Sequence, residues 1–254
     1  MTIPTYIINL DKDFKRREYV LELLQPYEFL SLNLIKAVEG KKLPESELNS
    51  KFDEALAYKR YGRDLNKGEI GCTLSHFECY KALLASENQY ALIVEDDITI
   101  LKSLDNLKLL IDYISVEEPV IIFLSGDFWY TREIKLSEDY CLSYVIDAVG
   151  SYAYLINRSA AELIITKNIK ASSAADNWSL YKSQGVTLKA IRPYLVDANI
   201  EEFESTINQQ YFGEYRRNMP LVFKLRAYSL AIIKKVLVKV GHFVPKIRKY
   251  EYNE

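Results

Sequence analysis

The chain contains short, uninterrupted runs of apolar residues, and each run stops abruptly at polar or acidic residues. Residues 91–94 (Ala-Leu-Ile-Val) stop at Glu95, and residues 120–124 (Val-Ile-Ile-Phe-Leu) stop at Ser125. Runs that do not alternate with polar residues are typical of strands covered on both faces of a sheet. Segments with helical spacing separate these runs. Strands that alternate with helices predict an α/β fold with a mostly parallel central sheet flanked by helices.

Polar side chains follow the predicted strands at their carboxyl ends. Asn9 lies near the end of a β-rich run over residues 5–10, residues 95–97 (Glu-Asp-Asp) follow the second run, and residues 125–127 (Ser-Gly-Asp) follow the third. Ligands of open α/β sheets bind beyond the carboxyl ends of the strands. We therefore expect one binding site at this edge of the sheet.

A helix is predicted over residues 73–85, between the first two strands. Ser75 and Glu78 stand three residues apart, as a capping pair does, and Gly68 and Gly71 punctuate the approach to the helix. The same patterns predict further strands over residues 150–156, 186–191 and 194–196, and a short helix over residues 159–165.

The acid triplet Glu95-Asp96-Asp97 is the most informative local feature. Two or more carboxylates at one strand end repel each other unless a cation offsets their charge. Oxygen ligands favour Mn²⁺ or Mg²⁺ over zinc, and in enzymes that use sugar nucleotides such an ion binds the diphosphate and offsets the charge on the departing nucleotide. The alternative is a solvated acidic turn that caps a neighbouring helix.

The chain has three cysteines and two histidines. An odd number of cysteines, with no charged-then-apolar leader at Met1, predicts a protein of the reducing cytoplasm. With so few histidines no zinc-type ligand set is expected, and the thiols of Cys72, Cys79 and Cys141 are interpreted as small buried apolar groups.

Charge is distributed unevenly along the chain. Residues 221–254 carry eight Lys/Arg and two Glu, a net charge of about +6, which leaves 25 basic and 33 acidic residues, a net charge of about −8, in residues 1–220. Nucleic-acid binding needs a basic face, so the acidic body argues against a nucleic-acid partner.

Several motifs stand at intervals along the chain: residues 6–11 (Tyr-Ile-Ile-Asn-Leu-Asp) with Arg16-Arg17, residues 37–40 (Ala-Val-Glu-Gly), residues 68–76 (Gly-Glu-Ile-Gly-Cys-Thr-Leu-Ser-His), residues 92–97 (Leu-Ile-Val-Glu-Asp-Asp), and residues 152–156 (Tyr-Ala-Tyr-Leu-Ile) followed by Ala160-Ala161. In this order they resemble glycosyltransferase family 25, the lipooligosaccharide galactosyltransferases related to collagen galactosyltransferases. The resemblance covers roughly residues 5–210.

The resemblance implies a catalytic domain of the GT-A type over residues 1–215, a UDP-sugar donor, and Mn²⁺ or Mg²⁺ held through a DXD-like motif. Glu95-Asp96-Asp97 is that motif here, with Asp97 and Glu95 as the metal ligands. The residues that the resemblance places on the cofactor and donor side are Asn9, Leu10, Arg16, Ser75, His76, Glu95 and Asp96. For two of them a structural role is the alternative, because Ser75 is placed to cap the helix and a lone helical histidine is often structural.

Family 25 enzymes are regarded as inverting, so the resemblance also implies a carboxylate that takes the proton of the acceptor hydroxyl as the new bond forms. Asp176 is the candidate, although Asn177 intervenes here before Trp178 where the family tends to place Asp-Trp. The alternative is that Asp176 is a helix N-cap with Trp178 packed behind it.

The function expected from the resemblance is transfer of galactose from UDP-galactose to a terminal sugar of bacterial lipooligosaccharide. UDP-glucose or UDP-N-acetylglucosamine are alternative donors, because discrimination between them rests on one or two hydrogen bonds. A metal-dependent phosphohydrolase and a catalytically silent carbohydrate-binding or scaffold protein are the alternatives from other classes.

Residues 216–254 are predicted to form a basic, amphipathic, helical extension. Helical spacing over residues 221–240 places Lys224, Lys234, Lys235 and Lys239 in one arc opposite an apolar arc that includes Leu230 and Leu237. The longest uncharged run, residues 227–233, is too short to span a bilayer, which needs about 20 apolar residues. We expect peripheral contact with the anionic surface of the inner membrane, and a helix packed on the domain with its lysines in water is the alternative.

Overall fold

The computed structural model describes residues 2–199, 202–203 and 218–245. The strands are β1 (Ile3–Asn9), β2 (Leu30–Lys36), β3 (Tyr90–Glu95), β4 (Ile98–Ile100), β5 (Val120–Phe123), β6 (Asp127–Lys135), β7 (Cys141–Val149), β8 (Ala153–Asn157), β9 (Thr187–Arg192), β10 (Val196–Ala198) and β11 (Phe243–Val244). The helices are α1 (Phe14–Leu24), α2 (Glu45–Lys51), α3 (Glu54–Tyr61), α4 (Lys67–Ala85), α5 (Ile111–Ile114), α6 (Arg158–Lys167), α7 (Trp178–Gln184) and α8 (Leu221–Lys239), with 3₁₀ turns at Gly40–Lys42 and Leu104–Leu110.

A nine-stranded sheet in the order β11-β6-β7-β9-β5-β8-β3-β1-β2 forms the centre of the fold. Strands β1, β2, β3, β5, β6 and β9 run in one direction, and β7, β8 and β11 run in the other. Helices cover both faces. The predicted α/β class, a central sheet with most of its strands in one direction and with helices on both faces, is therefore confirmed.

The two faces of the sheet carry two separate apolar layers. Successive residues of a strand point to opposite faces, so in β3 Ile93 packs in the layer that contains Leu74 of α4, whereas Val94 packs in the layer that contains Val20 of α1. Ile93 is 0% and Val94 is 1% exposed. Burial on both sides is the physical reason why this strand has no polar alternation.

Because β1, β3 and β5 point the same way, the residues that follow them meet at one edge, as the sequence predicts. The side-chain amide of Asn9, at the end of β1, donates to Asp96 Oδ2 at 2.7 Å. The short pair β4–β10 closes over this edge, where the backbone N–H of Asn199 donates to the carbonyl of Asp97 at 2.6 Å.

The prediction for the start of α4 was wrong. The helix begins at Lys67, six residues before the expected start, and Asn66 and Glu69 form the capping box. Gly68 and Gly71 are therefore inside the helix, and Ser75 lies in its third turn and is not a cap. A Cβ on Gly71 would lie 2.5 Å from the carbonyl oxygen of Val38 and 2.8 Å from the amide nitrogen of Gly40, so glycine permits close packing of α4 on this loop.

The structure also contains a hairpin that the sequence analysis did not assign. Strands β6 and β7 pair antiparallel over their full length, with irregular register near Tyr130. Helix α8 and strand β11 pack on this hairpin: Phe243 pairs with Trp129, and Lys234 forms an ion pair with Asp147.

The predicted arrangement of charges on α8 needs a correction. Lys234 faces the domain, with its ammonium group 3.9 Å from the centre of the Trp129 ring, so it does not share an outward arc with Lys235 and Lys239. Leu237 is also buried against the domain. Among the described residues, no helix has the length and apolar character needed to cross a bilayer.

We predict that Gly71→Ala lowers the free energy of unfolding by about 3 kcal/mol, at the upper end of the cost of overpacking, because the new methyl group meets backbone atoms that cannot rotate away. Gly241→Ala is the matched control, since a Cβ there meets nothing within 4 Å and only the positive φ of 76° is strained, at a cost of about 1 kcal/mol. Urea unfolding measures both. Equal destabilisation by the two substitutions would contradict the close packing of α4 on residues 38–40.

Candidate active site

The three carboxylates of the acid triplet point in different directions. Glu95 is the last residue of β3 and lies on the α4 side of the sheet, where its carboxylate is 3.4 Å from Nε2 of His76. Asp96 lies on the α1 side, where Arg16 is 3.2 Å away. Asp97 follows in the turn that leads to β4. The period of two in a strand separates the first two acids.

Arg16 links the second and third carboxylates. Its Nη1 atom is 3.2 Å from Asp96 Oδ1 and 3.0 Å from Asp97 Oδ2, and the guanidinium carbon lies 5.1 Å from the centre of the Phe203 ring. The neighbouring Arg17 donates from Nε to Asn9 Oδ1 at 2.8 Å. The structure therefore brings Asn9 and Arg16, two of the residues predicted to bind the donor, next to the acid triplet.

Asp97 is the carboxylate whose charge is least compensated. Burial, followed by the negative charge of Glu95, raises the pKa of Asp97 to about 7, although the positive charge of Arg16 opposes the shift. Its Oδ1 atom is buried and has no hydrogen-bond partner among the described residues. A buried, unpartnered carboxylate oxygen in an acidic setting fits a divalent cation.

Further carboxylates surround the same region. Burial raises the pKa of Tyr152, and the negative charges of Glu95, Asp176, Asp97 and Asp197 raise it further. Such a concentration of negative charge is costly without cations, and it would attract a metal ion to this edge of the sheet.

Asp176 lies in this region, just before α7. Its Oδ2 atom accepts a hydrogen bond from the backbone N–H of Gly150 at 3.2 Å, and burial raises the pKa of its carboxyl. The N-cap position of α7 belongs to Asn177, so the alternative that made Asp176 the cap is wrong. Trp178 does pack behind it: the indole is fully buried and donates to the carbonyl of Gly150 at 2.8 Å.

Three residues predicted to face the donor, Ser75, Leu10 and His76, make hydrogen bonds within the protein. Ser75 donates to the carbonyl of Gly71 at 2.7 Å and accepts from the N–H of Val38 at 2.8 Å, so its buried hydroxyl holds the 38–40 loop on α4. The carbonyl of Leu10 accepts from the N–H of Asp13 at 2.9 Å. His76 lies in the third turn of α4, not near the helix start, and its Nδ1 is 2.7 Å from the hydroxyl of Tyr154.

One cluster was missed, because the expectation of no zinc-type ligand set considered only cysteines and histidines. Cys72, His76 and Glu95 each place a ligand atom within 4.8 Å of the other two. Cys72 and Cys141 are partly exposed, which corrects their interpretation as buried apolar groups, whereas Cys79 is buried. The spacing of Cys72 and His76 by four residues on a helix was the available signal, and Glu95 is brought to them only by the packing of α4 on β3.

A family model described as glycosyltransferase family 25 (LPS biosynthesis protein) matches residues 2–178. The chain belongs to glycosyltransferase family 25. This confirms the resemblance that the spaced motifs indicated. The matched range contains the acid triplet, Arg16, the Cys72–His76–Glu95 cluster and Asp176.

Individual relatives match shorter segments of this family 25 chain. Mouse procollagen galactosyltransferase 2 is 36% identical over 96 residues, which are 37% of this chain and 15% of the relative. A glycosyltransferase 25 family member from Anopheles gambiae is 32% identical over 98 residues, which are 37% of this chain and 16% of the relative. The human inactive glycosyltransferase 25 family member 3 is 34% identical over 96 residues, which are again 37% of this chain and 16% of the relative. The matched segment is thus a small part of each relative.

Among solved structures, the chain is similar to a Drosophila beta-1,4-galactosyltransferase 7 mutant in complex with manganese, UDP-Gal and xylobiose. The TM-score is 0.45 at 9% sequence identity, over 87% of this chain and 80% of that one.

We predict that Asp97 makes the stability of the metal-free protein depend on pH. The folded state keeps the Asp97 proton up to about pH 7, whereas the unfolded chain releases it near pH 4, so stability from this group is present at low pH and is lost as the pH rises through about 7. Asp97→Asn removes the effect. The free energy of unfolding of the wild-type protein minus that of Asp97→Asn should fall by on the order of 2 kcal/mol between about pH 5 and about pH 8.

Urea unfolding in chelator-treated buffer measures this difference, and Asp139→Asn, at an exposed position in the β6–β7 turn, controls for loss of a carboxylate. A difference that does not change with pH would contradict the raised pKa of Asp97.

Proposed function

We propose that this protein is a metal-dependent, inverting galactosyltransferase that transfers galactose from UDP-galactose to a terminal sugar of bacterial lipooligosaccharide. The observation that carries the proposal is the acidic strand edge, where Asp97, beside Arg16, has a buried oxygen with no hydrogen-bond partner in the part of the chain that the structure describes. Membership of family 25 supports glycosyl transfer, the description of the family model supports a lipopolysaccharide acceptor, and the names of the procollagen galactosyltransferases support galactose.

Asp97 would hold the cation, Mn²⁺ or Mg²⁺, because hard carboxylate oxygens suit these ions. When bound, the ion neutralises the charge that develops on the departing UDP. Arg16 lies beside the same carboxylates and can pair with a diphosphate oxygen once a cation balances Asp97. Asn9 holds Asp96 in place, which keeps the end of β3 in a fixed position for the donor.

Asp176 is the proposed base. As the acceptor oxygen forms its bond to the anomeric carbon, the proton of the acceptor hydroxyl passes to the Asp176 carboxylate, and the bond from the anomeric carbon to UDP breaks with its electron pair on UDP. Burial raises the pKa of Asp176, which strengthens it as a proton acceptor near neutral pH. Its hydrogen bond from Gly150 fixes the orientation of the carboxylate.

The same site is compatible with a different UDP-sugar donor, and two functions without glycosyl transfer are rivals to the proposal. UDP-glucose differs from UDP-galactose only in configuration at C4, and UDP-N-acetylglucosamine differs at C4 and C2, so one or two hydrogen bonds would distinguish the donors. A phosphohydrolase would release phosphate without an acceptor, and membership of a glycosyltransferase family disfavours it. A relative named as inactive makes a catalytically silent protein the remaining rival, and it is distinguished by the absence of turnover with every donor.

We predict that, in a panel of UDP-sugars with Mn²⁺ and lipooligosaccharide, UDP-galactose is turned over fastest and chelation abolishes transfer. Asp97→Ala should lose Mn²⁺-dependent donor binding and turnover. Asp176→Asn should keep donor binding but lose transfer by about a hundredfold or more, because a general base contributes at least this much. Release of UDP and the galactosylated product are measured together.

Asp105→Asn, at an exposed carboxylate outside the site, is the matched control and should keep native turnover. Full turnover by Asp97→Ala would exclude Asp97 as the cation ligand. Near-native transfer by Asp176→Asn would show that another residue is the base. If the wild-type protein turned over no donor, a catalytically silent protein would be favoured.

We also propose that α8 binds the anionic surface of the inner membrane from the cytoplasmic side, next to a lipid-linked acceptor. Its inward face packs on the β6–β7 hairpin, yet its opposite face is apolar: Leu225 is 58%, Ile232 is 63% and Val236 is 53% exposed. Lys235 and Lys239 are also exposed on the outer side of the helix, and α8 contains no acidic residue. An apolar face beside cations suits anionic lipid.

We predict that Lys235→Glu/Lys239→Glu weakens sedimentation with vesicles rich in phosphatidylglycerol by at least roughly thirtyfold, because each lysine contributes about 1 kcal/mol near anionic lipid. Ile232→Ser/Val236→Ser should weaken binding by removing apolar contact. The matched control is Lys167→Glu/Lys170→Glu, the same charge change at exposed positions at the end of α6. Equal binding by all variants would leave α8 as a helix that only packs on the domain.

A further inference from the structure

Cys72, His76 and Glu95 form a compact group between α4 and the end of β3. Cys72 and His76 are four residues apart and therefore share one face of α4. Glu95 faces them because the residues of β3 alternate between the two sides of the sheet. The three ligand atoms lie within 4.8 Å of one another, and Nε2 of His76 is 3.4 Å from Oε1 of Glu95.

Hydrogen bonds orient the imidazole of His76 toward this group. Its Nδ1 atom is 2.7 Å from the hydroxyl of Tyr154, which is 2.8 Å from the hydroxyl of Tyr80. A metal-binding histidine is commonly held in this way, with the ring nitrogen that does not bind metal fixed by a second residue. The two tyrosines are buried, so the chain of hydroxyls is shielded from water.

The other ring nitrogen of His76, Nε2, is 3.4 Å from Glu95 Oε1 but makes no hydrogen bond of normal geometry among the described residues, although the side chain is only 2% exposed. It faces a carboxylate oxygen and a thiol. A cation between these three groups would give the buried nitrogen a partner and would offset the charge of Glu95. Ser151 donates to the same atom, Glu95 Oε1, at 2.5 Å and holds the carboxylate in place.

The ligand set selects the class of metal. One sulfur, one imidazole nitrogen and one carboxylate oxygen suit Zn²⁺, which favours tetrahedral sites with such donors, whereas Mn²⁺ and Mg²⁺ prefer oxygen ligands alone. Two ligands of a tetrahedral zinc lie about 3.5 Å apart, so the present spacing needs only a small movement of the Cys72 side chain. Cys72 and Glu95 are partly exposed, which leaves the fourth position open to solvent.

We propose that Cys72, His76 and Glu95 form a binding site for a thiophilic divalent cation of the zinc class, separate from the cation that Asp97 would hold for the donor. The site joins α4 to the end of β3. It therefore fixes the strand end from which Asp96 and Asp97 extend. The proposal does not depend on the donor or the acceptor of the transferase reaction.

Cobalt is the probe, because Co²⁺ takes zinc sites and its bond to a thiolate gives a charge-transfer band in the near ultraviolet. Co²⁺ added to the chelator-treated, reduced, full-length protein should produce this band with one equivalent of metal, and Zn²⁺ should remove it. Cys72→Ser should abolish the band. Cys141→Ser is the matched control and should retain it, since Cys141 lies at the start of β7, away from the cluster.

Two further variants separate the roles of neighbouring residues. Tyr154→Phe removes the hydroxyl that orients His76 and should weaken Co²⁺ binding about ten- to hundredfold without removing the thiolate band. Asp97→Asn should leave the band unchanged, even where it abolishes Mn²⁺-dependent transfer, so failure of the donor cation site and failure of this site are distinguishable.

The proposal is overturned if no thiolate band forms in the wild-type protein, or if the band in Cys72→Ser equals that of wild type. Circular dichroism and the melting temperature of Cys72→Ser show whether the variant is folded, and the Tyr154→Phe titration tests the site with all three ligands present.

Discussion

Three carboxylates follow one another at the end of β3, and the repulsion between them has to be offset by cations, hydrogen bonds or protons. Arg16 and Asn9 offset the charge of Asp96, and the contacts of Glu95 are on the other side of the sheet. Asp97 shares Arg16 but still has a pKa of about 7. The end of β3 is therefore stable only when the end of β1 and helix α1 bring Asn9 and Arg16 to it. A bound metal would offset the remaining charge of Asp97.

Burial of β3 and β5 on both faces is why these strands could be predicted from their uninterrupted apolar runs. Their apolar runs have no other stable location in a chain of this size. The β6–β7 hairpin was not predictable in this way, because it mixes buried residues with exposed ones such as Arg132 and its register is irregular. The start of α4 was misjudged because glycine usually interrupts a helix, whereas Gly71 is retained where a backbone segment from elsewhere in the chain approaches the helix.

The candidate site was predictable where it depends on strand ends and not where it depends on helix packing. Asn9 and Asp96 meet because β1 and β3 are adjacent and parallel, which the order of strands and helices already suggests. Ser75 and His76 belong to the same sequence motif, but one side chain is used to hold a loop and the other faces Glu95. Their difference follows from the rotation of α4 about its axis, and spacing within a motif does not determine that rotation.

The pleat of β3 also explains why a run of acids, not a single one, stands at this point. The side chain of a strand residue contacts either the α4 layer or the α1 layer, so a single acid cannot contact residues of both layers. Glu95 continues the face of Ile93 and meets His76, and Asp96 continues the face of Val94 and meets Arg16. The third acid lies in the turn, where neither layer covers it completely. Insertion of one residue within β3 would exchange the two faces, turning Glu95 away from His76 and Asp96 away from Arg16, so the positions of the acids depend on the length of the strand.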